Sequence, residues 1–364
     1  MSEKNAYIDS RVELETELEP KDIAFFDVRK PPFDVYGLYN YKTEPFFKRL
    51  PDDVGAATSE GVASHCRHTA GGRVRFSTDS QYVAIKCTWE RTTRFSHMPL
   101  TGGATFDMYI DTDVTGVSNF AGLFIPPYTV SNGYEQVIYF PDRRKRFLTI
   151  NFPTYNRVEN LYIGVQEDAT LEGGKKYRFD KPIVFYGSSI TQGGCASHPG
   201  NHYQYILSRH IDFDFINLGF SGCGCGEDSI IDYMASLDMC AFFADYDHNA
   251  SFDGLRNTHL KMYQKIREKH PDIPYIMMSR IDADCGDDYE GTVDRRRIIL
   301  ETLNYALDHG DRNAYFIDGE SMFRGDYEDC TTVDSVHPND YGFLRVAENV
   351  EGLFHRLIND GKLK

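Results

Sequence analysis

Short hydrophobic runs with the spacing of β-strands occupy the chain from about residue 72 to residue 166. They are rich in β-branched and aromatic side chains, often alternate with polar positions, and lie at residues 73–80, 82–90, 104–111, 135–141, 146–153 and 160–166. Turn-forming glycine, Asn-Gly and Pro-Asp pairs separate these runs, and no long helical period intervenes. The pattern predicts an antiparallel β-sandwich or jelly roll, which we assign to an N-terminal domain at residues 1–176.

A different pattern begins after residue 176, where apolar strand-like runs alternate with helical ones. The strand-like runs lie at residues 183–186, 213–218, 240–246, 275–279 and 314–317. Residues 295–310 repeat apolar side chains at helical spacing and end at a glycine, and residues 343–357 have a second such stripe. Alternating strands and helices predict a parallel sheet covered on both faces, a three-layer α/β/α domain at residues 177–364.

The loops that follow the predicted parallel strands contain the residue types used in acyl transfer. Ser189 follows the first strand, Gly222 the second and Asn249 the third, and Asp334 and His337 precede the last helix. Because open parallel sheets bind ligands beyond the carboxyl ends of their strands, we expect these residues to meet at one edge.

Together these residues could perform nucleophilic catalysis. A serine hydroxyl needs a neutral imidazole to accept its proton, and His337 could be that base, with Asp334 orienting it from three residues away. The N–H groups of Ser189 and Gly222 and the side-chain amide of Asn249 are candidate donors to the oxyanion of the intermediate. Each feature alone is common in turns and helix caps, so the prediction depends on their combination.

Four segments resemble, in order, the conserved blocks of the SGNH (GDSL-like) hydrolase family. The segments are YGSSITQGG, NLGFSGCG, DYDHNA and DSVHP. The resemblance implies a flavodoxin-like α/β/α fold with Ser189 as nucleophile, a triad completed by His337 and Asp334, and an oxyanion hole formed by Ser189, Gly222 and Asn249. The segments GGRVRFSTDS, SHMPLTGG and ATFDMYID resemble the β-domain that precedes the esterase in one subgroup, whose Gly-x-Asp-Leu-Tyr signature is loosened here to FDMYI.

One departure from the family pattern concerns the nucleophile block. The usual Gly-Asp-Ser is Gly187-Ser188-Ser189 in this chain, so the carboxylate before the nucleophile is missing. Two adjacent serines then compete for the role, and alignment of the block selects Ser189.

The resemblance implies a serine esterase that removes short acyl groups, acetyl above all, from a carbohydrate or small-molecule ester, with neither a metal nor an organic cofactor. A lysophospholipase, a thioesterase or an acyltransferase would use the same site, and a non-catalytic carbohydrate-binding protein is a further alternative. Arg49, Arg91 and His97 of the N-terminal domain are candidate substrate contacts.

Rival motifs are less complete. The segment 219–223 lacks the last glycine of a Gly-x-Ser-x-Gly elbow, and the glycine-rich loop follows the second strand rather than the first, unlike a dinucleotide-binding loop. Cys223 and Cys225 could bind zinc with His248 or Cys195, although Cys-x-Cys spacing suits a tetrahedral site poorly.

Net charge and the lengths of the apolar runs disfavour some classes of binding partner. The 364 residues have a net charge of −16, which repels phosphate backbones and so disfavours nucleic-acid binding. No signal-peptide core opens the sequence, and no apolar run approaches the ~18 residues of a membrane span. We therefore predict a cytoplasmic protein with reduced cysteines and no membrane partner, and we leave self-association into a homo-oligomer open.

Overall fold

The computed structural model describes residues 18–281, 289–325 and 327–364. The strands are β1 (Ile23–Asp27), β2 (Asp34–Tyr36), β3 (Arg73–Thr78), β4 (Tyr82–Thr88), β5 (Phe106–Asp111), β6 (Ser118–Phe124), β7 (Gly133–Tyr139), β8 (Arg146–Asn151), β9 (Asn160–Gln166), β10 (Leu171–Gly173), β11 (Ile183–Gly187), β12 (Phe215–Gly219), β13 (Ala241–Asp245), β14 (Tyr275–Met278) and β15 (Ala314–Ile317). The α-helices are α1 (Asp52–Thr58), α2 (Glu60–His65), α3 (Leu100–Gly103), α4 (Ser189–Gln192), α5 (Tyr203–Ile211), α6 (Asp228–Ser236), α7 (Phe252–Lys269), α8 (Tyr289–Asp308) and α9 (Asp340–Asn359).

The chain divides into two compact units. The N-terminal unit comprises the chain up to Arg49 with residues 67–176 and 197–200, and the C-terminal unit comprises residues 50–66, 177–196 and 201–364. The predicted domains 1–176 and 177–364 differ from these units at residues 50–66 and 197–200. Segment 50–66 belongs to the C-terminal unit because Leu50, Val62 and Cys66 are buried in that unit's apolar core.

Two antiparallel sheets form the N-terminal unit. One has the strand order β1-β9-β4-β7, and the other has the order β10-β3-β8-β5-β6 with β2 paired to β3. Buried side chains of both sheets, such as Val74, Ile85 and Ile163, form one apolar core that includes Trp89. This confirms the predicted antiparallel sandwich, while β1, β2, β6 and β10 are strands that the hydrophobic pattern missed.

The C-terminal unit is a parallel sheet between two layers of helices. Its strand order is β12-β11-β13-β14-β15, and all neighbouring strands are parallel. Counted within the unit this order is 2-1-3-4-5, the flavodoxin-like arrangement. Ile183 and Phe185 of β11 contribute to a core shared with α5 and α9, while Val184 and Tyr186 contribute to a core shared with α6, α7 and α8. The predicted α/β/α fold is thus confirmed, and the apolar stripe predicted at residues 343–357 is the buried face of α9.

The strand order brings the ends of three strands together. Gly187 of β11 is in register with Gly219 of β12 on one side and with Asp245 of β13 on the other. The chain passes from β11 to β12 on one side of it and then crosses to β13 on its other side, which makes this edge the topological switch point of the sheet. The loops after these strands therefore start side by side.

Helix composition and cysteine state add two observations. No helix in the described ranges is both long and apolar enough to cross a membrane. Each of the seven cysteines in those ranges is a free thiol. Cys285 lies outside the described residues.

Candidate active site

The turn after β11 distinguishes the two adjacent serines. Ser188 is fully buried and caps α4, since its Oγ accepts a hydrogen bond from the Ile190 N–H at 3.1 Å. The Thr191 Oγ1 accepts in turn from the Ser188 N–H at 3.1 Å, which completes a capping arrangement. Ser189 is the first residue of α4 and retains 8% exposure. The Ser188 hydroxyl therefore holds the turn, and the Ser189 hydroxyl is the one presented to other groups.

Three predicted residues form a continuous hydrogen-bonded relay. The Ser189 Oγ lies 2.9 Å from the Nε2 of His337, and the Nδ1 of His337 lies 2.8 Å from the Oδ2 of Asp334. The other carboxylate oxygen, Oδ1, accepts from the N–H of His337 at 2.8 Å and of Val336 at 3.2 Å. Because a carboxylate can only accept, the imidazole proton belongs on Nδ1, which leaves the Nε2 lone pair facing the serine hydroxyl.

The loop between β15 and α9 holds this relay in shape. The Val333 N–H donates to the carbonyl oxygen of His337 at 2.9 Å, and the Asn339 side chain caps α9 by accepting from the Gly342 N–H at 3.1 Å. Burial acts to raise the pKa of Asp334, but the hydrogen bonds from the N–H and the imidazole of His337 outweigh it, so the pKa lies below its ordinary value. The Asp334 side chain is therefore an ionised carboxylate at neutral pH.

A buried carboxyl group supports the nucleophile turn from below. The Thr191 Oγ1 donates to one oxygen of Asp245, and the Tyr203 hydroxyl donates to the other at 3.2 Å. Burial raises the pKa of Asp245 well above its ordinary range. A Cβ at Gly187 would collide with both Asp245 and the Thr191 hydroxyl, so only glycine fits there. Sequence reasoning missed Asp245, whose one signal was an acidic residue ending a buried strand.

The glycine loop after β12 contributes one of the predicted oxyanion donors. Gly222 is exposed with a φ of 65°, and its N–H makes no hydrogen bond to any residue that the structure describes. The Asn249 amide nitrogen donates both of its protons to backbone carbonyls of the loop, to Phe220 at 2.7 Å and to Cys223. Asn249 therefore shapes the loop in this state, and its donation to an oxyanion would require the release of one of those bonds. The oxyanion roles of Ser189, Gly222 and Asn249 stay predictions.

The cysteines near the loop have separate partners. The Cys223 Sγ lies 3.2 Å from the Nδ1 of His65, whereas the Cys225 Sγ donates to the carbonyl oxygen of Asn249 at 3.7 Å. Burial, together with the charge of Asp334, raises the pKa of the Cys195 thiol to about 12. The two loop thiols therefore contact different segments, near His65 and Asn249, and the contact of Cys223 with His65 was not part of the zinc alternative.

His248 is a further imidazole of the C-terminal unit. Its Nε2 is buried and has no hydrogen-bond partner among the described residues. Burial first, and then the positive charges of Arg280 and Arg295, hold the pKa of His248 well below its ordinary value. Sequence reasoning considered this residue only as a zinc ligand.

The three predicted substrate contacts belong to the N-terminal unit. Arg49 is only 1% exposed, and its Nε donates to the carbonyl oxygen of His68 at 3.0 Å, so the structure does not support it as a substrate contact. Arg91 is exposed and makes no hydrogen bond or ion pair within the described ranges. His97 is half-buried, with its ring 6.0 Å from that of Phe95. Substrate binding by Arg91 and His97 stays a prediction.

Solved structures share this architecture along nearly the whole chain. A protein of Bacteroides ovatus solved as a GDSL-like lipase has a TM-score of 0.83 and 27% identity, over 93% of this chain and 98% of its own. The salicylyl-acyltransferase SsfX3 from a tetracycline biosynthetic pathway has a TM-score of 0.76 and 18% identity, over 95% and 100%. The acetyl xylan esterase Est2A of the rumen bacterium Butyrivibrio proteoclasticus has a TM-score of 0.59 and 12% identity, over 93% and 99%. No curated protein matches the sequence significantly.

Two family models match consecutive parts of the sequence. The model of the N-terminus of SGNH-hydrolase-type esterases, named for its GxDLY signature, matches residues 23–171. The model of the GDSL-like lipase/acylhydrolase family matches residues 180–355, which include all five residues proposed from the strand ends. Residues 180–355 therefore form a GDSL-like lipase/acylhydrolase domain, and residues 23–171 before it form the GxDLY region of SGNH-type esterases.

Proposed function

We propose that this protein is a serine esterase that hydrolyses short acyl esters, acetyl esters in the first place, on a carbohydrate. The observation that supports it most is the relay from the Ser189 Oγ through His337 to Asp334, with distances of 2.9 and 2.8 Å. The relay lies at the switch point of the sheet, where ligands of this fold class bind.

The proposed reaction begins with attack of the Ser189 Oγ on the ester carbonyl carbon while the His337 Nε2 takes the hydroxyl proton. Asp334 stabilises the imidazolium that results, and the tetrahedral oxyanion accepts hydrogen bonds from the N–H groups of Ser189 and Gly222. Collapse of the intermediate expels the sugar alkoxide, which receives the proton from Nε2. Water then attacks the acyl-enzyme by the same route in reverse and releases the acid.

The choice of substrate rests on the neighbours and on charge. Carbohydrate esterases of family two and an acetyl xylan esterase share this fold, which makes acetylated sugars the first substrates to test. The net charge of −16 disfavours polyanionic substrates. An acyltransferase also shares the fold, so transfer of the acyl group to an alcohol instead of water is the second candidate.

The test measures acetate release from acetylated xylo-oligosaccharides and cello-oligosaccharides by wild type and by Ser189→Ala. The variant should lose at least ~10⁴ in kcat, as expected when a nucleophile is removed from a triad. Ser188→Ala is the matched control and should still react with a fluorophosphonate probe, because its hydroxyl caps α4. Full activity in Ser189→Ala with loss of labelling in Ser188→Ala would overturn the assignment.

Two further measurements separate the alternatives. An acyl-length series on aryl esters should favour acetate, and a maximum at eight carbons or more would instead indicate a lysophospholipase or thioesterase. Added alcohol acceptors should divert little of the acyl group from water, and a dominant ester product would indicate an acyltransferase. Wild type that neither hydrolyses aryl acetates nor takes up the probe would indicate a non-catalytic binding protein.

A further inference from the structure

A cavity of about 380 Å³ opens in the N-terminal unit, and none of its lining residues belongs to the relay. It lies between the loop that follows β4 and the loop between β6 and β7, and it falls within the ~300–1,000 Å³ range of small-molecule sites. We call it the Tyr128 pocket, and its lining includes Thr93, Arg94, Phe95, Ser96, Leu100 and Tyr128.

The walls of the Tyr128 pocket are held by buried contacts of their own unit. The Trp89 indole N–H donates to the Thr92 Oγ1 at 3.0 Å and to the carbonyl oxygen of Ser131 at 3.2 Å, which ties the two loops together. The Thr93 N–H donates to the Oδ1 of the buried Asn156 at 2.8 Å. A site whose walls are already ordered loses little entropy on binding, so modest contacts suffice for measurable affinity.

Hydrogen-bonding groups of the pocket are left over after these contacts. The Arg94 Nη2 donates to the carbonyl oxygens of Tyr128 at 2.7 Å and of Val130 at 2.9 Å. The remaining guanidinium N–H groups and the hydroxyls of Thr93 and Ser96 make no hydrogen bond to any part of the chain that the structure describes. Thr93, Arg94 and Ser96 therefore bring hydrogen-bonding groups to the pocket lining that are not used by the described residues.

An exposed aromatic ring forms the apolar part of the same pocket. Tyr128 is 86% exposed, the highest value among the large apolar and aromatic side chains of the described residues that remain exposed. It follows two prolines, and the Arg94 guanidinium lies 5.6 Å from its ring centroid. Leaving such a ring in water costs free energy that a stacked ligand would recover.

The ligand that matches a flat apolar face ringed by donors is a sugar, whose C–H groups stack on a ring while its hydroxyls accept hydrogen bonds. A carboxylate would pair with Arg94 but would not need Tyr128, and the net charge of −16 disfavours anions. We infer that the Tyr128 pocket binds one unit of a neutral oligosaccharide, with the ring stacked on Tyr128 and its hydroxyls bonded to Arg94, Thr93 and Ser96. The choice of a saccharide rests in part on the proposed function.

The test measures binding of two unacetylated hexasaccharides, one of xylose and one of cellulose, by calorimetry in a Ser189→Ala background that cannot turn over an ester. Tyr128→Ala should weaken the Kd about tenfold, equivalent to ~1.4 kcal/mol, while Tyr128→Phe should keep the affinity. The matched control is Tyr139→Ala, a tyrosine of the same unit that is 54% exposed and lies outside the pocket lining. Its Kd should equal that of the parent.

The outcomes separate this inference from the esterase proposal. Equal affinities of Tyr128→Ala and Tyr139→Ala, with unchanged melting temperatures, would overturn the saccharide site even if acetate release depends on Ser189. Absence of binding at millimolar concentrations of every hexasaccharide would overturn it as well. Binding that depends on Tyr128 in a protein that releases no acetate would support the site and refute the esterase.

Discussion

Replacement of Asp334 by asparagine should disable the base more thoroughly than its near-identical shape suggests. The Oδ1 of Asp334 accepts from two backbone N–H groups, of Val336 at 3.2 Å and of His337 at 2.8 Å. An amide NH₂ cannot occupy that position, since it would place donors against donors, so asparagine must turn its NH₂ towards the His337 Nδ1. The imidazole then has to accept at Nδ1 and keep its proton on Nε2, where it faces Ser189 and cannot act as a base.

The magnitude follows from this enforced tautomer. We expect kcat for an aryl acetate to fall ~10⁴-fold, equivalent to ~5.5 kcal/mol of transition-state stabilisation. Asp334→Ala should lose less, because the half-exposed site admits water and either tautomer can form. Asp329→Asn, an exposed carboxylate of the same connection, is the control and should match wild type. The reasoning is refuted if Asp334→Asn retains more than a tenth of the wild-type kcat, or is more active than Asp334→Ala.

Two further predictions concern stability. Gly187→Ala should destabilise the fold by ~3 kcal/mol or more in urea unfolding, because the added Cβ has no space beside Asp245. The control, Gly352→Ala in α9, adds a Cβ that meets no atom within 4 Å and should be neutral or stabilising. Equal effects of the two substitutions on the free energy of unfolding would contradict this prediction. Burial lowers the pKa of His202 and of His259 to about 3, so the unfolded chain binds more protons below pH 6.5. The contribution of these two imidazoles to the free energy of unfolding should be fully present above pH 6.5. It should fall as the pH drops towards 3, by roughly 3 kcal/mol per imidazole at pH 4. His259→Gln should flatten the curve of urea midpoint against pH, and a curve parallel to wild type would count against the buried neutral imidazole.

The strands of the parallel sheet were predicted within two residues of their observed bounds because strands buried on both faces read as continuous apolar runs. The edge strand β6 was missed since its sequence, SNFAGLF, is mostly only partly buried and mixes small, polar and aromatic residues. The helices α1 and α2 were missed for another reason: they are short, and their burial depends on the core of the C-terminal unit, 120 residues or more further along the chain. Local propensity contains no trace of that packing.

At the site, the order of the sequence blocks pointed to Ser189, Asp334 and His337, which the structure brings together in one relay. The sequence could not reveal that the Asn249 amide donates both of its protons to carbonyl oxygens of the glycine loop. Nor could it show that Arg49 is buried against a backbone carbonyl, because a charged residue in a predicted loop is ordinarily exposed.

By itself, the sequence determined the two fold classes, the strand ends at which chemistry would gather, and the residue types available there, because periodicity and block order are local properties. Only the tertiary structure gave the physical reason for choosing Ser189 over Ser188, since the Ser188 hydroxyl caps α4 and the Ser189 hydroxyl contacts His337. It likewise explains why residue 187 is glycine, because Asp245 of a neighbouring strand leaves no space for a Cβ. Such distinctions depend on contacts between segments far apart in the chain, and those contacts exist only once the sheet has formed.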